Sequence, residues 1–195
     1  MMEDRYEIRF AGSGGQGIIM AALIFAEAAG VYDGKYVCQT QSYGPEARGG
    51  NSKAEVVVSK EVIDYPKATK LDLLLAMNQA ACDTYFPDLK PDGLLVVDST
   101  LVDQVPTSRV VPIPFTKIAV REAGRELVAN MVALGAAGYL TQIVSLKSLE
   151  LALLARVPKG TEEMNRKVFN AGIKAARKID LNALPRSIMP EEEEA

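Results

Sequence analysis

Two short β-rich segments near the start of the chain flank a glycine-rich loop and a long apolar stretch. Residues 7–11 alternate between polar and apolar, and residues 18–30 are apolar and rich in helix-forming residues. After the turn signal Asp33-Gly34, residues 35–40 again favour a strand. The pattern predicts a strand, a helix and a second strand, and we expect the two strands to be parallel because a helix connects them.

Strands are also predicted farther along, from runs of leucine and β-branched residues at 53–59, 71–77, 94–98 and 108–114. The last of these is expected at a sheet edge, because its two prolines cannot donate hydrogen bonds to a central ladder.

The segments between these strands predict connections and a helix. Residues 61–66 predict a short strand or a connection, residues 78–89 a short helix interrupted at Pro87, and Pro91-Asp92-Gly93 a turn. The alternation of strands and helices predicts an α/β fold, a three-layer sandwich with a mostly parallel, Rossmann-like sheet and a helical C-terminal part.

Residues 127–144 are apolar on almost all sides, which predicts a helix buried on most of its surface. Asn130, Thr141, Gln142 and two glycines argue against a membrane span. A slim surface of small residues is formed by Ala133, Gly135, Ala136, Ala137 and Gly138. This surface fits either a subunit interface or an ordinary contact in the core, and the sequence leaves both open.

Two further helices are predicted, one over residues 148–157 and one from an N-cap at Thr161 to about residue 178. The proline-containing, acidic residues 181–195 are expected to be a solvated or partner-binding tail. We therefore expect one α/β domain over residues 1–180, followed by this tail.

Composition excludes several functional classes. The 195 residues carry a net charge of −3, so no basic field favours a nucleic-acid partner. The start, MMEDRYEIRF, lacks a basic and then apolar leader, and we expect a cytoplasmic protein. There is no histidine, which excludes catalytic triads and most catalytic zinc sites, and the two cysteines, Cys38 and Cys82, fit small apolar core residues. Two cysteines cannot assemble an iron–sulfur cluster within this chain, so any chemistry must rest on carboxylates, hydroxyls, amides, the backbone or another subunit.

The glycines of the first loop follow the spacing of a dinucleotide-binding motif. Gly12, Gly14 and Gly17 match G-x-G-x-x-G between a predicted strand and helix, which indicates an anionic ligand at the helix N-terminus. An NAD site also needs an acidic residue at the end of the second strand, but residues 38–41 contain none, and Asp33 precedes that strand. The NAD interpretation therefore fails at its most discriminating residue.

A second glycine-bearing loop, residues 41–51, should leave the second strand at the same sheet edge as the first loop. Arg48 is suited to phosphate or carboxylate, Glu46 could orient it, and Gly49 and Gly50 leave backbone amides accessible. Simpler interpretations stay open. Arg48 and Glu46 could pair only with each other, and Ser42 and Tyr43 could only pack the loop. Gln16 could only bond its own loop, and Asn130 could satisfy a helix terminus.

Three motifs together resemble the gamma subunit of 2-oxoacid:ferredoxin oxidoreductases: GSGGQG at 12–17, SYGPEARGG at 42–50 and NMVALGA at 130–136. The resemblance implies an enzyme that oxidatively decarboxylates a 2-oxoacid with coenzyme A and reduces ferredoxin. It places thiamine diphosphate between the alpha and beta subunits and iron–sulfur clusters on beta or delta subunits. It associates the gamma subunit with coenzyme A binding and assembly, and implies that this chain has no catalytic residue and no metal site of its own. Self-association of the gamma chain is a further expectation.

The resemblance implies a set of candidate ligand-binding residues in the two loops. They are Gly12, Ser13, Gly14, Gly15, Gln16, Gly17, Ser42, Tyr43, Gly44, Glu46, Arg48, Gly49 and Gly50. The resemblance favours 2-oxoglutarate as substrate and leaves branched-chain 2-oxoacids, pyruvate and indolepyruvate open. Two other functions remain: an assembly subunit without a ligand, and a stand-alone NAD(P)-dependent reductase. The missing ribose acid and the absence of histidine count against the reductase.

Overall fold

The computed structural model describes residues 5–43 and 51–185, which form a sheet flanked by helices. The strands are β1 (Arg5–Ser13), β2 (Tyr36–Ser42), β3 (Asn51–Ser59), β4 (Leu71–Ala76), β5 (Leu89–Asp98) and β6 (Val110–Ile113). The helices are α1 (Ile18–Glu27), α2 (Gln79–Tyr85), α3 (Phe115–Ala123), α4 (Ala129–Thr141), α5 (Leu146–Arg156) and α6 (Glu162–Ala176). A π-helical turn, Ala28–Tyr32, extends α1, and single 3₁₀ turns lie at Phe86–Asp88, Glu126–Val128 and Leu181–Ala183.

The sheet order is β2-β3-β1-β4-β5-β6. Strands β1, β4, β5 and β6 pair in parallel, whereas β3 is antiparallel to both β1 and β2. Strands β1 and β2 do run in the same direction, as predicted, but they are not neighbours. Only residues 43–50 connect β2 to β3, whereas a crossover between parallel strands needs a dozen or more residues. Strand β3 therefore runs in the opposite direction and lies between β1 and β2.

The turn predicted at Pro91-Asp92-Gly93 is wrong, because these residues lie within β5. Leu71 of β4 pairs with Leu89 and Leu73 pairs with Leu94, so β5 bulges between these two pairs. Pro91 has no amide to donate to a regular ladder, and the bulge accommodates it. A Cβ at Gly93 would lie 2.9 Å from the Leu71 carbonyl oxygen, so glycine is required at this close approach.

Helices α1, α3, α4, α5 and α6 cover one face of the sheet, around a core that includes Phe10, Phe25, Phe115 and Phe169. The other face is covered by α2 and the connection 60–70, around a smaller core that includes Leu74, Cys82 and Leu95. The predicted α/β sandwich is confirmed, with unequal outer layers. The strand predicted at 108–114 is also confirmed at the sheet edge, as β6.

Helix α4 lies in the centre of the helical layer, and its small residues serve packing within the chain. A Cβ at Gly135 would overlap the carbonyl oxygen of Phe169 in α6, and a Cβ at Gly172 of α6 would overlap that of Val132. Gly138 is equally crowded by Leu149 of α5. The expectation of a subunit interface on this surface is therefore wrong, and the alternative, a core contact, is confirmed.

Within residues 5–43 and 51–185, no helix combines the length and the apolar character that crossing a bilayer requires.

The last two helices begin at residues that are suited to capping. Helix α5 starts at an N-cap serine, Ser145, whose side chain accepts a hydrogen bond from the amide of Ser148. Thr161 precedes α6 as predicted, although its side chain accepts no backbone hydrogen bond there.

Candidate functional site

The glycine loop connects the end of β1 to the start of α1 at the carboxyl edge of the parallel strands. Gly15 and Gly17 have φ angles of 93° and 71°, in the left-handed region that side chains rarely adopt. Gly12 is crowded by the side chains of Gln16, Met77 and Ile18, whereas an added Cβ at Gly14 or Gly15 would meet no atom of the described residues within 4 Å. The loop thus combines tightly packed ends with an open middle.

Gln16 fixes the conformation of this loop by hydrogen bonds to the loop backbone and to the residues that follow β4. Its Oε1 accepts a hydrogen bond from the Ser13 amide at 2.7 Å, and its Nε2 donates to the Met77 carbonyl oxygen at 3.0 Å. Asn78 also donates to Gln16 Oε1, at 3.4 Å. The side chain of Gln16 therefore ties the loop to the end of β4, which is the simpler role that the sequence left open.

Asn130, in the first turn of α4, holds the other end of the loop. Its Nδ2 donates to the Gly17 carbonyl oxygen at 3.0 Å, and a Cβ at Gly17 would overlap this amide. Gly17 is the residue before α1, and its carbonyl oxygen already accepts a hydrogen bond from the Ala21 amide, so Asn130 holds the loop but does not satisfy the free amides of this helix terminus, as the sequence had left open. The first and third of the sequence motifs are in direct contact.

The flanks of the second loop lie beside the first. Ser13 pairs with Asn51 and Gly12 with Ser52, so the predicted common edge is confirmed. A small cavity of about 190 Å³ opens there, lined by Ser13, Gly14, Gly15, Gly17, Ile18, Ile19, Tyr43 and Ser52. The Ser42 hydroxyl contacts only the Tyr43 carbonyl oxygen among described residues, at 3.5 Å. Gly44, Glu46, Arg48, Gly49 and Gly50 lie outside the described residues.

The electrostatic character of this cavity comes from the start of α1. No side chain within the described ranges caps this helix, and its first turn carries no acidic residue. The free amides and the helix dipole therefore present partial positive charge toward the cavity. No described lysine or arginine lines it. The arrangement is suited to an anionic group held by backbone amides.

A buried ionic network lies on the other face of the sheet, and sequence reasoning missed it. Arg9 is directly opposite Glu55 in the β1–β3 ladder and donates to Glu55 Oε1 from Nε at 2.9 Å and from Nη2 at 2.7 Å. Asp88 also pairs with Arg9, and Tyr85 stacks against the guanidinium at 5.1 Å. The signal in the sequence was the placement of charged residues at alternate positions of two adjacent strands.

Glu55 is also bound by Lys53, at 2.9 Å. Burial opposes ionisation of Glu55, but the hydrogen bond from Lys53 and the charge of Arg9 outweigh it, so the pKa of Glu55 lies below its ordinary value. The network holds β1, β3 and the end of α2 together beneath the edge that carries both loops.

Asp33 is bound far from the glycine loop. Its carboxylate accepts hydrogen bonds from the amide of Ser145, at 2.7 Å, and from the hydroxyls of Ser145 and Ser148. Partial burial opposes ionisation, but these hydrogen bonds lower the pKa of Asp33. Asp33 therefore joins the start of β2 to α5 and lies at the wrong end of β2 for a ribose, as predicted.

The cysteines lie apart and are both free, with Cys82 buried and Cys38 half-buried. Burial raises the pKa of the Cys82 thiol to about 11. In the part of the chain that the structure describes, no group of three histidine, cysteine, aspartate or glutamate side chains is placed to hold a metal ion.

Known proteins resemble this chain over almost its whole length. The family described as pyruvate ferredoxin/flavodoxin oxidoreductase matches residues 7–175. The 2-oxoglutarate synthase subunit KorC of Methanocaldococcus jannaschii is 51% identical over 179 residues, which cover 90% of this chain and 96% of that subunit.

Solved structures agree with this match. The gamma subunit of a keto/oxoacid ferredoxin oxidoreductase from Geobacter sulfurreducens superposes with a TM-score of 0.81 at 49% identity, covering 89% of this chain and 99% of that one. The 2-oxoglutarate:ferredoxin oxidoreductase from Magnetococcus marinus, described with 2-oxoglutarate, coenzyme A and succinyl-CoA bound, gives 0.80 at 27% identity, covering 98% of this chain and 34% of that one.

The class of the protein follows from its fold and from these comparisons. The chain has a βα unit with a glycine loop and a reversed third strand, and it is similar to these proteins over almost its whole length. The chain belongs to the pyruvate ferredoxin/flavodoxin oxidoreductase family and is the gamma-type subunit of a 2-oxoacid:ferredoxin oxidoreductase. The resemblance predicted from the three motifs is confirmed.

Proposed function

We propose that this gamma subunit binds coenzyme A in the crevice between the glycine loop and the loop 43–50, within an enzyme that acts on 2-oxoglutarate. The reaction converts 2-oxoglutarate and coenzyme A to succinyl-CoA and carbon dioxide, and the electrons released pass to ferredoxin. The relative named 2-oxoglutarate synthase and the ligands named for the Magnetococcus marinus enzyme support this substrate and this cofactor.

The observation that carries the proposal is the open middle of the glycine loop beside an uncapped helix. Gly14 and Gly15 leave room for close approach to the backbone, and the first-turn amides of α1 lie next to them. A diphosphate needs such amides together with positive charge, and coenzyme A carries a diphosphate without requiring the ribose acid of an NAD site.

The described cavity, about 190 Å³, is smaller than the roughly 300–1,000 Å³ of typical ligand pockets, so it accounts for one part of coenzyme A. We assign the diphosphate to it, and assign the remaining contacts to loop 43–50 and to partner subunits. Arg48 would supply the charge, Glu46 would orient it, and Gly44, Gly49 and Gly50 would leave their amides accessible.

Among the described candidates, the roles divide between contact and support. Ser13, Gly14, Gly15 and Tyr43 would face the ligand, because they line the cavity. Gly12 and Gln16 would support the loop, because their contacts are internal. Gly17 would do both, because it lines the cavity and its carbonyl oxygen is bound by Asn130. Ser42 would act indirectly, because its hydroxyl contacts the Tyr43 carbonyl oxygen and would help to position Tyr43.

The proposal assigns the redox chemistry to other chains. Alpha and beta subunits, with a delta subunit where the enzyme has one, would carry thiamine diphosphate and the iron–sulfur clusters, since this chain has two cysteines and no histidine. The gamma chain alone would then have no turnover, and ferredoxin would be reduced only by the assembled complex.

The test is a titration of the assembled enzyme with coenzyme A, comparing the wild type with Arg48→Ala, Arg48→Lys and Gly14→Ala. Loss of a charged hydrogen bond costs about 1.5–3 kcal/mol, so Arg48→Ala should weaken binding by about tenfold or more, and Arg48→Lys by less. Gly14→Ala should also weaken binding while leaving the folded stability unchanged, because its Cβ meets none of the residues 5–43 and 51–185 within 4 Å.

A purely structural gamma subunit predicts a different result. Coenzyme A affinity would be unchanged in all three variants, whereas substitutions in the two loops would reduce recovery of the partner subunits on co-purification. Assaying the reconstituted complex against 2-oxoglutarate, pyruvate, branched-chain 2-oxoacids and indolepyruvate tests the substrate separately. A higher kcat/KM for any of the others would contradict the assignment to 2-oxoglutarate.

A further inference from the structure

A large groove lies far from the glycine loop, between the edge strand β6 and helices α3 and α6. Its volume is about 760 Å³. Its floor is apolar and includes Ile113, Ile118, Ala171 and Ile179. Strand β6 is the last strand of the sheet, so its outer side has no neighbouring strand among the described residues. Uncovered edges of this kind promote aggregation unless something shields them.

The rim of the groove is positively charged. Among the described residues, Arg121, Lys167, Lys174 and Lys178 line it together with one carboxylate, that of Glu122, so four cations and one anion give a net charge of +3. Glu122 is shared by Arg121, at 2.8 Å, and Lys167, at 3.4 Å.

Two of these cations have no partner in the described chain. Lys174 and Lys178 lie near the C-terminal end of α6, and neither makes an ion pair with residues 5–43 or 51–185. The groove therefore combines an apolar floor with unneutralised positive charge, which is suited to an acidic segment that also carries apolar residues.

Such a segment belongs to this chain. Residues 186–195 have the sequence RSIMPEEEEA, in which the apolar Ile188 and Met189 precede Glu191, Glu192, Glu193 and Glu194. Its four glutamates and one arginine give a net side-chain charge of −3, equal and opposite to that of the groove.

The last described residue places this segment close to the groove. Arg109, which directly precedes β6, donates to the Pro185 carbonyl oxygen at 3.5 Å, and the other end of β6 lines the groove. A strand of four residues spans about 13 Å, and ten extended residues reach about 33 Å, so the glutamates can reach the cations.

We propose that the groove between β6, α3 and α6 is a docking site for the acidic segment 186–195 of the same chain. Ile188 and Met189 cover the apolar floor, and the glutamates pair with the cations of α3 and α6. The docked segment shields the edge of β6.

A carbodiimide, which joins carboxylates to amines without a spacer, tests this in the full 195-residue chain. Mass spectrometry of the digested protein should show Glu191–Glu194 joined preferentially to Lys167, Lys174 and Lys178. The double variant Lys174→Glu with Lys178→Glu removes two of the reactive amines, so the yield is followed at Lys167, which keeps its amine. That yield should fall by about tenfold, because exposed ion pairs of up to about 1 kcal/mol each are replaced by repulsion. Adding Glu191→Lys and Glu192→Lys to that variant should restore crosslinking between the same two segments.

The matched control is Lys60→Glu with Lys67→Glu, which changes the same charges on the exposed connection over the other face of the sheet. It should leave the yield unchanged. Equal crosslinking to Lys60 and Lys67 in the wild type would overturn the proposal in favour of a solvated segment. Crosslinks between ¹⁴N- and ¹⁵N-labelled copies in a mixed sample would overturn it in favour of docking between two molecules.

Discussion

Asn130 in α4 and Gly17 before α1 are 113 residues apart, and the side-chain amide of one donates to the carbonyl oxygen of the other at 3.0 Å. This contact joins the most buried helix of the domain to the loop that faces the candidate ligand. The position of the loop therefore depends on the core as well as on its own glycines.

Replacing Asn130 by alanine should remove this link. We expect a loss of about 1 kcal/mol in the free energy of unfolding, the usual cost of one hydrogen bond, because the Gly17 carbonyl oxygen keeps its bond from Ala21. Urea denaturation measures the change. Asn170→Ala is the matched control, since Asn170 is an exposed asparagine on α6, and it should be neutral. Equal stability of the two variants would show that the Asn130 contact contributes nothing.

Gly135→Ala should destabilise the chain strongly. The new Cβ overlaps a carbonyl oxygen of α6, which can move only with its helix, so overpacking should cost about 3 kcal/mol despite the higher helix propensity of alanine. Thermal unfolding of the variant checks this. Gly14→Ala, at an open position, should unfold at the wild-type temperature, and a stabilised Gly135→Ala protein would contradict the close packing of α4 against α6.

The Arg9–Glu55 pair should make stability depend on acidic pH. Because the pKa of Glu55 is lowered in the folded chain, the unfolded chain binds its proton more readily, and the stabilisation is complete above the ordinary pKa near 4.5. It is lost as the pH falls through the lower folded value. Glu55→Gln should reduce stability at neutral pH by about 3 kcal/mol, because Asp88 is the one acidic partner that Arg9 then keeps among the described residues, and should flatten the acid limb of the profile.

Denaturation curves from pH 7 down to about 3 measure this profile for both proteins. Glu150→Gln is the control, because its ion pair with Arg166 is exposed, and exposed pairs contribute little. A wild-type profile as flat as that of Glu55→Gln would refute the assignment.

The two thiols should differ in reactivity. Cys82 is buried and its pKa is raised to about 11, so very little thiolate forms at neutral pH, whereas Cys38 is half-buried. Iodoacetamide should therefore alkylate Cys38 in the native chain, and Cys82 only after unfolding. Mass spectrometry of the wild type and of Cys38→Ser distinguishes the sites, and comparable native labelling of Cys82 would contradict its buried position.

The location of the site was predictable because the glycine spacing and the succession of strands and helices can be read directly along the sequence. Gly12, Gly14 and Gly17 indicated a turn before a helix, and residues 41–51 had to leave the second strand at the same edge. Strand direction was harder, because an apolar run such as residues 53–59 has the same pattern in both directions. The feature of the sequence that indicates a reversed strand is the short connection, residues 43–50, between the second and third strands.

The partners of individual side chains could not be predicted from local pattern. Gln16 bonds Met77 and Asn78, which reach it only through the pairing of β1 with β4. The small residues of α4 indicated a close contact with another element. That this element is α6 depends on how α6 packs against α4 in the folded chain. In both cases the missing information was which elements lie next to each other in the folded chain.

The reversed strand β3 fixes the distance between the two candidate loops. Loop 43–50 starts and ends on adjacent strands, about 5 Å apart, and Asn51, where it ends, pairs with Ser13, where the glycine loop begins. A shift in the pairing of β3 with β1 would therefore change the distance between the two loops. Both halves of the proposed site thus share one hydrogen-bonded ladder, so a substitution in β1 or β3 that loosens this pairing should weaken the site even where it changes no residue that lines it.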